Sequence, residues 1–375
     1  MQIGEKVSTA GGPAPSSARA DLLANLDDPP AMRCGFWGAG DEPVSKAELV
    51  DQIQQRAQEE NNRWFEFGGL GEIEGAHSEG QAAAFKYLCV YSLSYLFRGD
   101  AMTPQRFLDV RRELLAYSGL RRTSNASTVA TAIHRTVGGE SRVRSRIAQS
   151  INQAKTAASG SFPWSAVFVT YCVRRAALDL GIEWFDGTRT LNTGSVLALA
   201  ASHGHYGQVA YARTLAGIRG TYHAFPPETA TVEVGDIIIQ DRRQRIRPSA
   251  DCYEAGLTPA SVRGLAGLRG RPGCTHGDIV VEVDSGGAVA IGGNVAQSVR
   301  RRRYPLTAEG LVDIDHAEQR LYAQEDAAGH LGPATTADPD DTIPGRSTSR
   351  VFAVLKPMEL CAVAGPVVTD AGILI

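Results

Sequence analysis

A serine at the start of a predicted helix is the leading candidate nucleophile in this sequence. Ser165 follows Pro163 and Trp164 and begins an apolar segment that ends at Gly181. The first N–H groups of a helix have no partner inside the helix, and the positive end of the dipole stabilises an anion there. A hydroxyl at this position can attack a carbonyl carbon if a base removes its proton.

The most hairpin-like segment of the chain offers that base. It is HGDIVVEVDSGGAVAIGGNV, residues 276–295, which predicts two strands joined at DSGG. His276 begins the first strand and Asn294 ends the second, so we expect both near one end of the paired strands. The prediction is that Ser165 attacks, His276 transfers the proton and Asn294 orients the imidazole. Asp278 shares a strand face with His276 and is a candidate carboxylate partner and substrate-binding residue.

Each of these residues also has a structural interpretation that remains open. A serine at a helix start is often only an N-cap, and an asparagine beside glycine is often a turn residue. Trp164 is predicted either to line a substrate groove or to be buried under the helix start. Cys172, two helical turns after Ser165, lies in an apolar stripe and is expected to pack in the core.

A polar cluster precedes the strands. It contains His203, His205 and Tyr206 in the string SHGHY. Two histidines in this spacing can ligate a metal, but no third ligand is indicated, so substrate contact or structural support is favoured over a metal site. The glycine-rich strings are not followed by a helix, which argues against a nucleotide-phosphate loop. No cofactor is predicted.

Composition excludes several classes of protein. The chain has 375 residues, 43% of them hydrophobic and 21% charged, which is enough for a buried core. Its formal charge of -3, from 38 basic and 41 acidic residues, argues against nucleic acid as the main partner. No apolar run reaches the roughly 18 residues of a membrane span. No secretory signal is visible, so we expect synthesis in the cytoplasm and six unpaired cysteines.

The order of elements predicts the fold class. Ser45 and Glu48 have the spacing of a capping box at the start of a helix. Two further helices are predicted within residues 81–118, and residues 124–158 have a weaker helical pattern. Strands are predicted in the later half, where apolar runs are shorter and bounded by turn residues. Helices followed by strands indicate an α+β protein.

The ends and loops are assigned by composition. Residues 1–45 are rich in Gly, Pro, Ala and Ser and predict a loose N-terminal arm, residues 326–348 predict a long loop, and residues 358–375 form a C-terminal tail. The four arginines of residues 300–303 are expected at a solvated edge, with a polyanion site as the alternative.

Several strings taken in order resemble a known superfamily. PWSAVFVTYCVRRA resembles the nucleophile segment of the CHAP and NlpC-type amidase/peptidase superfamily, and THGDIVVEV and IGGNVAQSV resemble its two following strands. A closer resemblance, to an uncharacterised branch with Ser in place of the nucleophilic Cys, is carried by PWSA, SHGHY, VGDIII, HGDIVVEV and IGGNV, with RAQEENNRWFEFG as the opening helix.

The resemblance implies a papain-like core over residues 46–357, with an antiparallel sheet packed on the nucleophile helix and a helical insertion at about residues 75–160. It implies the same three catalytic residues, Ser165, His276 and Asn294. It also places His203 and Tyr206 in the substrate groove. Two departures are the alcohol in place of the thiol, and Gly292 where relatives often carry a Glu.

The expected function is hydrolysis of an amide bond, with bacterial cell-wall peptidoglycan peptides as the implied substrate. Export by a dedicated secretion machine or release by a phage would deliver such an enzyme, and an immunity protein is then an expected partner. The alternative is a catalytically inactive peptidoglycan- or peptide-binding module, or a structural component of a phage or secretion assembly. A third interpretation is acyl transfer or deacylation on an intracellular amide.

Overall fold

A computed structural model describes most of the chain between residues 32 and 363. The described residues are 32–35, 44–67, 78–96, 103–159, 164–182, 205, 208–209, 212, 222–243, 275–295, 298–313, 323–324, 330–331, 348–358 and 360–363. The helices are α1 (Lys46–Phe67), α2 (Ser78–Leu96), α3 (Pro104–Ala116), α4 (Ala126–Val137), α5 (Ser141–Ala158) and α6 (Ser165–Asp179). The strands are β1 (Met32–Gly35), β2 (Tyr222–Phe225), β3 (Ile237–Arg243), β4 (Thr275–Asp284), β5 (Gly287–Val295), β6 (Ser298–Tyr304), β7 (Ala323–Gln324), β8 (Thr348–Pro357) and β9 (Leu360–Val363).

The helix ends follow local signals in the sequence. At the start of α1, the Glu48 carboxylate accepts a hydrogen bond from the Ser45 backbone N–H at 2.9 Å, and the Glu48 N–H donates to the Ser45 hydroxyl at 3.2 Å. This reciprocal pair confirms the predicted capping box. Past the end of α6, Gly181 adopts a positive φ of 69°, a conformation that glycine enters without steric cost.

Seven of the strands form one antiparallel sheet in the order β2-β8-β3-β4-β5-β6-β7. The hairpin of β4 and β5 turns at Ser285 and Gly286, as the DSGG string predicts, with Asp284 opposite Gly287. Helices precede this sheet in the chain, so the predicted α+β class is confirmed.

The sheet has two chemically distinct faces. Helix α6 packs against β4 and β5, and α1 packs against β4 and β6. Alternation along the strands directs Ile279 and Ile291 into the core shared with these helices, and Val280 and Ala290 into a second apolar cluster on the opposite side. We call these the helix face and the far face.

The remaining helices support α6 from its other side. Helix α2 packs against α5 and α6, and α4 packs against α3 and α5. They occupy the place of the predicted helical insertion. Cys172 on α6 is fully buried, as its apolar stripe predicts, and burial raises the pKa of its thiol well above the ordinary value.

The two terminal strands form a unit of their own. Strand β1 pairs with β9 in a two-stranded sheet that joins the predicted arm to the predicted tail. Residues 1–31 of the arm and 364–375 of the tail lie outside the described residues.

A buried carboxylate at the start of β3 carries a pH prediction. Asp236 is fully buried, and its Oδ2 accepts hydrogen bonds from the Glu233 N–H at 2.9 Å and from Lys356 Nζ at 2.6 Å. Burial raises the pKa of Asp236 from 3.8 to about 6, although Lys356 opposes the shift. The fold therefore favours the protonated acid.

The free energy of unfolding should consequently fall as the pH rises. The contribution of Asp236 is fully present below about pH 4 and is lost through pH 6, a decrease of about 3 kcal/mol. Denaturant unfolding of the wild type and of Asp236→Asn between pH 4 and 7.5 measures this change. Asp236→Asn should remove that part of the slope, and equal slopes in both proteins would contradict the assignment.

Candidate active site

Ser165 is the first residue of α6 and lies where the helix meets the sheet. Ser165 is 2% exposed. Trp164 is the N-cap, and its side chain makes no capping hydrogen bond within the described residues. The first N–H groups of α6 are therefore not capped by that side chain, which leaves them suited to receive negative charge next to the hydroxyl.

The Ser165 hydroxyl is hydrogen-bonded to a histidine. Ser165 Oγ lies 3.0 Å from His205 Nε2, and His205 Nδ1 lies 2.6 Å from Gln208 Oε1. His205 and Gln208 are 1% and 0% exposed. The three side chains form a serine, a histidine and an orienting group in hydrogen-bonded order, which is the arrangement that activates a serine nucleophile.

The hydrogen bonds of Gln208 determine which ring nitrogen of His205 carries the proton. The Gln208 side-chain NH₂ donates to the Ala166 carbonyl at 3.3 Å and to the Thr170 hydroxyl at 3.1 Å. The Gln208 carbonyl oxygen therefore faces His205 Nδ1 and requires an N–H there. In the neutral ring this leaves the lone pair of Nε2 directed at Ser165, as a general base needs.

The Ser165 hydroxyl also lies at the end of the hydrogen-bond ladder between β4 and β5. Val280 exchanges backbone hydrogen bonds with Gly235 and Asp236, so alternation turns the N–H and C=O of Gly277 towards the β5 side. The Gly277 N–H donates to Ser165 Oγ at 3.3 Å, and the hydroxyl lies 3.2 Å from the Gly277 carbonyl oxygen. Ser165 thus sits one rung beyond the last β4–β5 pair, Asp278 opposite Gly292.

Glycines create the space for this contact. A Cβ on Gly277 would lie 2.4 Å from His205 Cε1, and a Cβ on Gly293 would lie 2.5 Å from Phe168 Cβ. Side chains at these two positions would therefore displace His205 or push α6 from the sheet. Close packing therefore explains why glycine stands at residue 277 in β4 and at residue 293 in β5.

His276 belongs to a different set of contacts. Its Nε2 lies 2.6 Å from Asp278 Oδ1, and the Tyr304 hydroxyl donates to Asp278 Oδ2. Arg302 Nη1 lies 3.4 Å from the same oxygen, and the Gln240 NH₂ donates to the Tyr304 hydroxyl. We call these five side chains the far-face network.

Charge balance in the far-face network depends on Asp278. Burial alone would raise the pKa of Asp278, but the charges of His276 and Arg302, with the hydrogen bond from Tyr304, hold it well below its ordinary value. The network therefore contains an ionised carboxylate, and Arg302, expected at a solvated edge, is instead 5% exposed beside it. The expectation of a solvated edge is wrong for this arginine.

The position of Gly292 locates the network on the far face. A Cβ on Gly292 would lie 1.6 Å from Asp278 Oδ1 and 3.0 Å from His276 Nε2, whereas one on Gly293 would meet α6. Asp278 and His276 therefore project from β4 on the side away from α6. The absence of a Glu at residue 292 makes room for the carboxylate of Asp278.

In the part of the chain that the structure describes, no hydrogen bond joins Ser165 to His276 or Asn294, the other two members of the predicted triad. Among the described residues, the side chain and backbone groups bonded to the Ser165 hydroxyl are those of His205 and Gly277. The rings of His205 and His276 have centroids 6.4 Å apart. A transfer of the Ser165 proton to His276 stays a prediction.

Asn294 has a conformational role. It adopts a positive φ of 62° between Gly293 and Val295, where the β5–β6 register shifts. Asparagine is one of the few residues that tolerate this region. His203 and Tyr206, expected in the groove, lie outside the described residues.

Trp164 is buried in an aromatic stack. Its ring centroid lies 5.0 Å from that of Trp64 and 6.1 Å from that of Tyr91. The Trp64 N–H donates to the Tyr91 hydroxyl at 2.8 Å, and that hydroxyl donates to Glu60. Of the two alternatives for Trp164, the structure has the buried one, and the stack fixes the start of α6.

Sequence reasoning misses two members of the site. It assigns His205 to a polar cluster without pairing it with Ser165, and it does not single out Gln208. The available signal is their spacing of three residues, which places both side chains on one face of a helical turn.

Two surface depressions formed by described residues lie away from Ser165. One of about 500 Å³ runs along α5, and one of about 330 Å³ lies between α2 and the end of α3. Across the residues that the structure describes, no group of His, Cys, Asp and Glu is arranged to hold a metal ion. None of the described helices is both long and apolar enough to cross a bilayer.

The fold and site together define an α+β protein with a buried Ser–His–Gln cluster between a helix and an antiparallel sheet. Residues 133–328 match the bacterial family described as "Uncharacterized protein conserved in bacteria (DUF2272)". This match covers more than half of the chain, and the chain belongs to that family. No curated protein and no solved structure matches the chain.

Proposed function

We propose that this protein is a hydrolase that cleaves an amide bond with Ser165 as the nucleophile and His205 as the base. The observation that carries the proposal is the 3.0 Å contact between Ser165 Oγ and His205 Nε2, with Nδ1 of the same ring held by Gln208. A serine hydroxyl is not ionised near neutral pH, so a neutral base must lie within hydrogen-bond reach of it at the moment of attack.

The reaction follows from this geometry. Ser165 Oγ forms a bond to the amide carbonyl carbon while its proton moves to His205 Nε2. The C–N bond of the tetrahedral intermediate then breaks, and the leaving amine takes the proton from His205. Water then attacks the resulting ester and loses a proton to His205. The bond between the acyl carbon and Ser165 Oγ breaks, His205 returns the proton to Oγ, and the carboxylic acid leaves.

The start of α6 offers stabilisation for the oxyanion. Ser165 is the first residue of α6, beside the N–H groups that have no partner inside the helix, and the Gly277 N–H donates to Ser165 Oγ from the strand. Donors held in place before the reaction lower the barrier because they need no reorganisation when charge develops.

Two arguments support cell-wall peptide as the substrate. One is the resemblance of the Ser165 and His276 segments to amidases and peptidases that act on peptidoglycan. The other is membership of a family conserved in bacteria. We also propose that residues 46–357 form the predicted papain-like core.

Incubation of the purified protein with peptidoglycan tests the substrate class. Mass spectrometry of the soluble fragments should show new amine and carboxyl ends with the wild type, and none with Ser165→Ala. Intact peptidoglycan with both proteins would contradict this substrate.

The second candidate function is a binding module without catalysis. The observation that favours it is burial, because Ser165 and His205 are 2% and 1% exposed and a substrate needs an opening to reach them. A sedimentation assay with peptidoglycan separates the two. Equal binding by wild type and Ser165→Ala without cleavage by either would establish the module.

Gln208 gives a prediction on the orienting group. Gln208→Leu keeps the volume but removes the acceptor at His205 Nδ1, so the ring is free to adopt the wrong tautomer. We expect kcat to fall by about 10²-fold or more, with little change in KM. Gln149→Leu, on the polar surface of α5, is the matched control and should behave as wild type. Wild-type kcat in Gln208→Leu would contradict an orienting role.

A further inference from the structure

We propose that the far-face network is a clamp on the Gly277 peptide group, and that His276 and Asp278 act through it as positioning residues for Ser165. Its catalytic consequence rests on the proposed function. The clamp itself is a property of the fold and has a separate readout.

The clamp follows from the positions on either side of Gly277. His276 and Asp278 precede and follow it, and their side chains meet 2.6 Å apart on the far face. The N–H and C=O of Gly277 meanwhile point along the sheet to the Ser165 hydroxyl. The contact between His276 and Asp278 thus bridges Gly277, the residue whose backbone contacts the Ser165 hydroxyl.

Gly277 needs such a restraint. It must be glycine because His205 occupies the space of a Cβ, and glycine is the residue that loses most conformational freedom on ordering. It also lies beyond the last paired rung of β4 and β5, so the ladder alone does not hold it on that side. Rigidity has to come from its neighbours.

The far-face network supplies that rigidity through adjacent strands. Asp278 is bonded to Tyr304 and lies near Arg302, both on β6, and Tyr304 is bonded to Gln240 on β3. All five side chains are at least nine-tenths buried. Moving one partner would leave charge uncompensated in the interior, which is strongly unfavourable.

Hydrogen exchange of the Gly277 amide tests the clamp without any substrate. Exchange followed by mass spectrometry with electron-transfer fragmentation should show a protected Gly277 N–H in the wild type. Asp278→Asn should accelerate its exchange by about tenfold or more while the centre of α6 stays protected. Asp284→Asn, at the exposed end of the same strand, is the matched control and should leave Gly277 unchanged. An unchanged Gly277 in Asp278→Asn would overturn the clamp.

Phosphonylation by a fluorophosphonate probe tests the consequence for Ser165. Asp278→Asn and His276→Gln should slow the reaction by about 10- to 100-fold, yet keep the pH midpoint of the wild type, because His205 remains the base. If His276→Gln instead removes the pH dependence, His276 is the base and the positioning role is wrong. A protected Gly277 in a wild type that never reacts would retain the clamp and overturn the proposed hydrolase.

Discussion

Replacing His205 by alanine should abolish hydrolysis almost as completely as Ser165→Ala, by about 10³-fold or more in kcat. The reason is that the Ser165 proton has no other imidazole within hydrogen-bond reach among the described residues. The double variant should be no worse than either single one, since the two side chains act as a unit. Rates of peptide release from peptidoglycan measure all three.

Two control variants separate this effect from general damage. His330→Ala removes an exposed histidine, and Ser145→Ala removes an exposed serine on α5; both should retain wild-type activity. Circular dichroism should show that His205→Ala is folded. A folded His205→Ala with wild-type activity would contradict the role of this residue.

Gly292→Ala should strongly destabilise the sheet. The new Cβ would lie 1.6 Å from Asp278 Oδ1, so the carboxylate has to leave His276 and Arg302. Breaking a buried charge pair in this way costs about 3–5 kcal/mol. Denaturant unfolding monitored by tryptophan fluorescence measures the loss.

Gly119→Ala is the matched control, because its Cβ would meet nothing closer than 3.4 Å. It should change the free energy of unfolding by less than about 0.5 kcal/mol. In a double-mutant cycle, Gly292→Ala and Asp278→Ser should be strongly non-additive, since removing the carboxylate also removes the clash. Additive losses would contradict a direct contact between these two positions.

The fold class is predictable from the sequence because its signals are local. The capping box at Ser45, the DSGG turn and the glycine at residue 181 each act within a few residues, and all three are found as predicted. The strand order is not local. Strand β8 lies between β2 and β3, although more than a hundred residues separate β3 from β8 in the chain. No periodicity encodes that pairing.

The site divides in the same way. The position of Ser165 at the start of a helix is predictable, because the signals for a helix start lie in the neighbouring residues of the sequence. Its contact with His205 spans 40 residues and needs the glycine at residue 277, whose role as free space appears only when both elements are placed. The motif HGD predicts His276 as the catalytic base, a role that stays a prediction. Alternation along β4 places its side chain on the far face, where His276 Nε2 lies 2.6 Å from Asp278 Oδ1.

The rate at which a fluorophosphonate modifies Ser165 tests the central claim most directly. The serine oxygen forms a bond to phosphorus, fluoride leaves, and the hydroxyl proton moves to the base, so the reaction needs an activated serine but no known substrate. We expect wild type to be modified at Ser165, as shown by peptide mapping, and His205→Ala to react about 10³-fold more slowly while folded. Modification of folded His205→Ala at the wild-type rate, or no modification of the wild type, would contradict the claim that His205 activates Ser165.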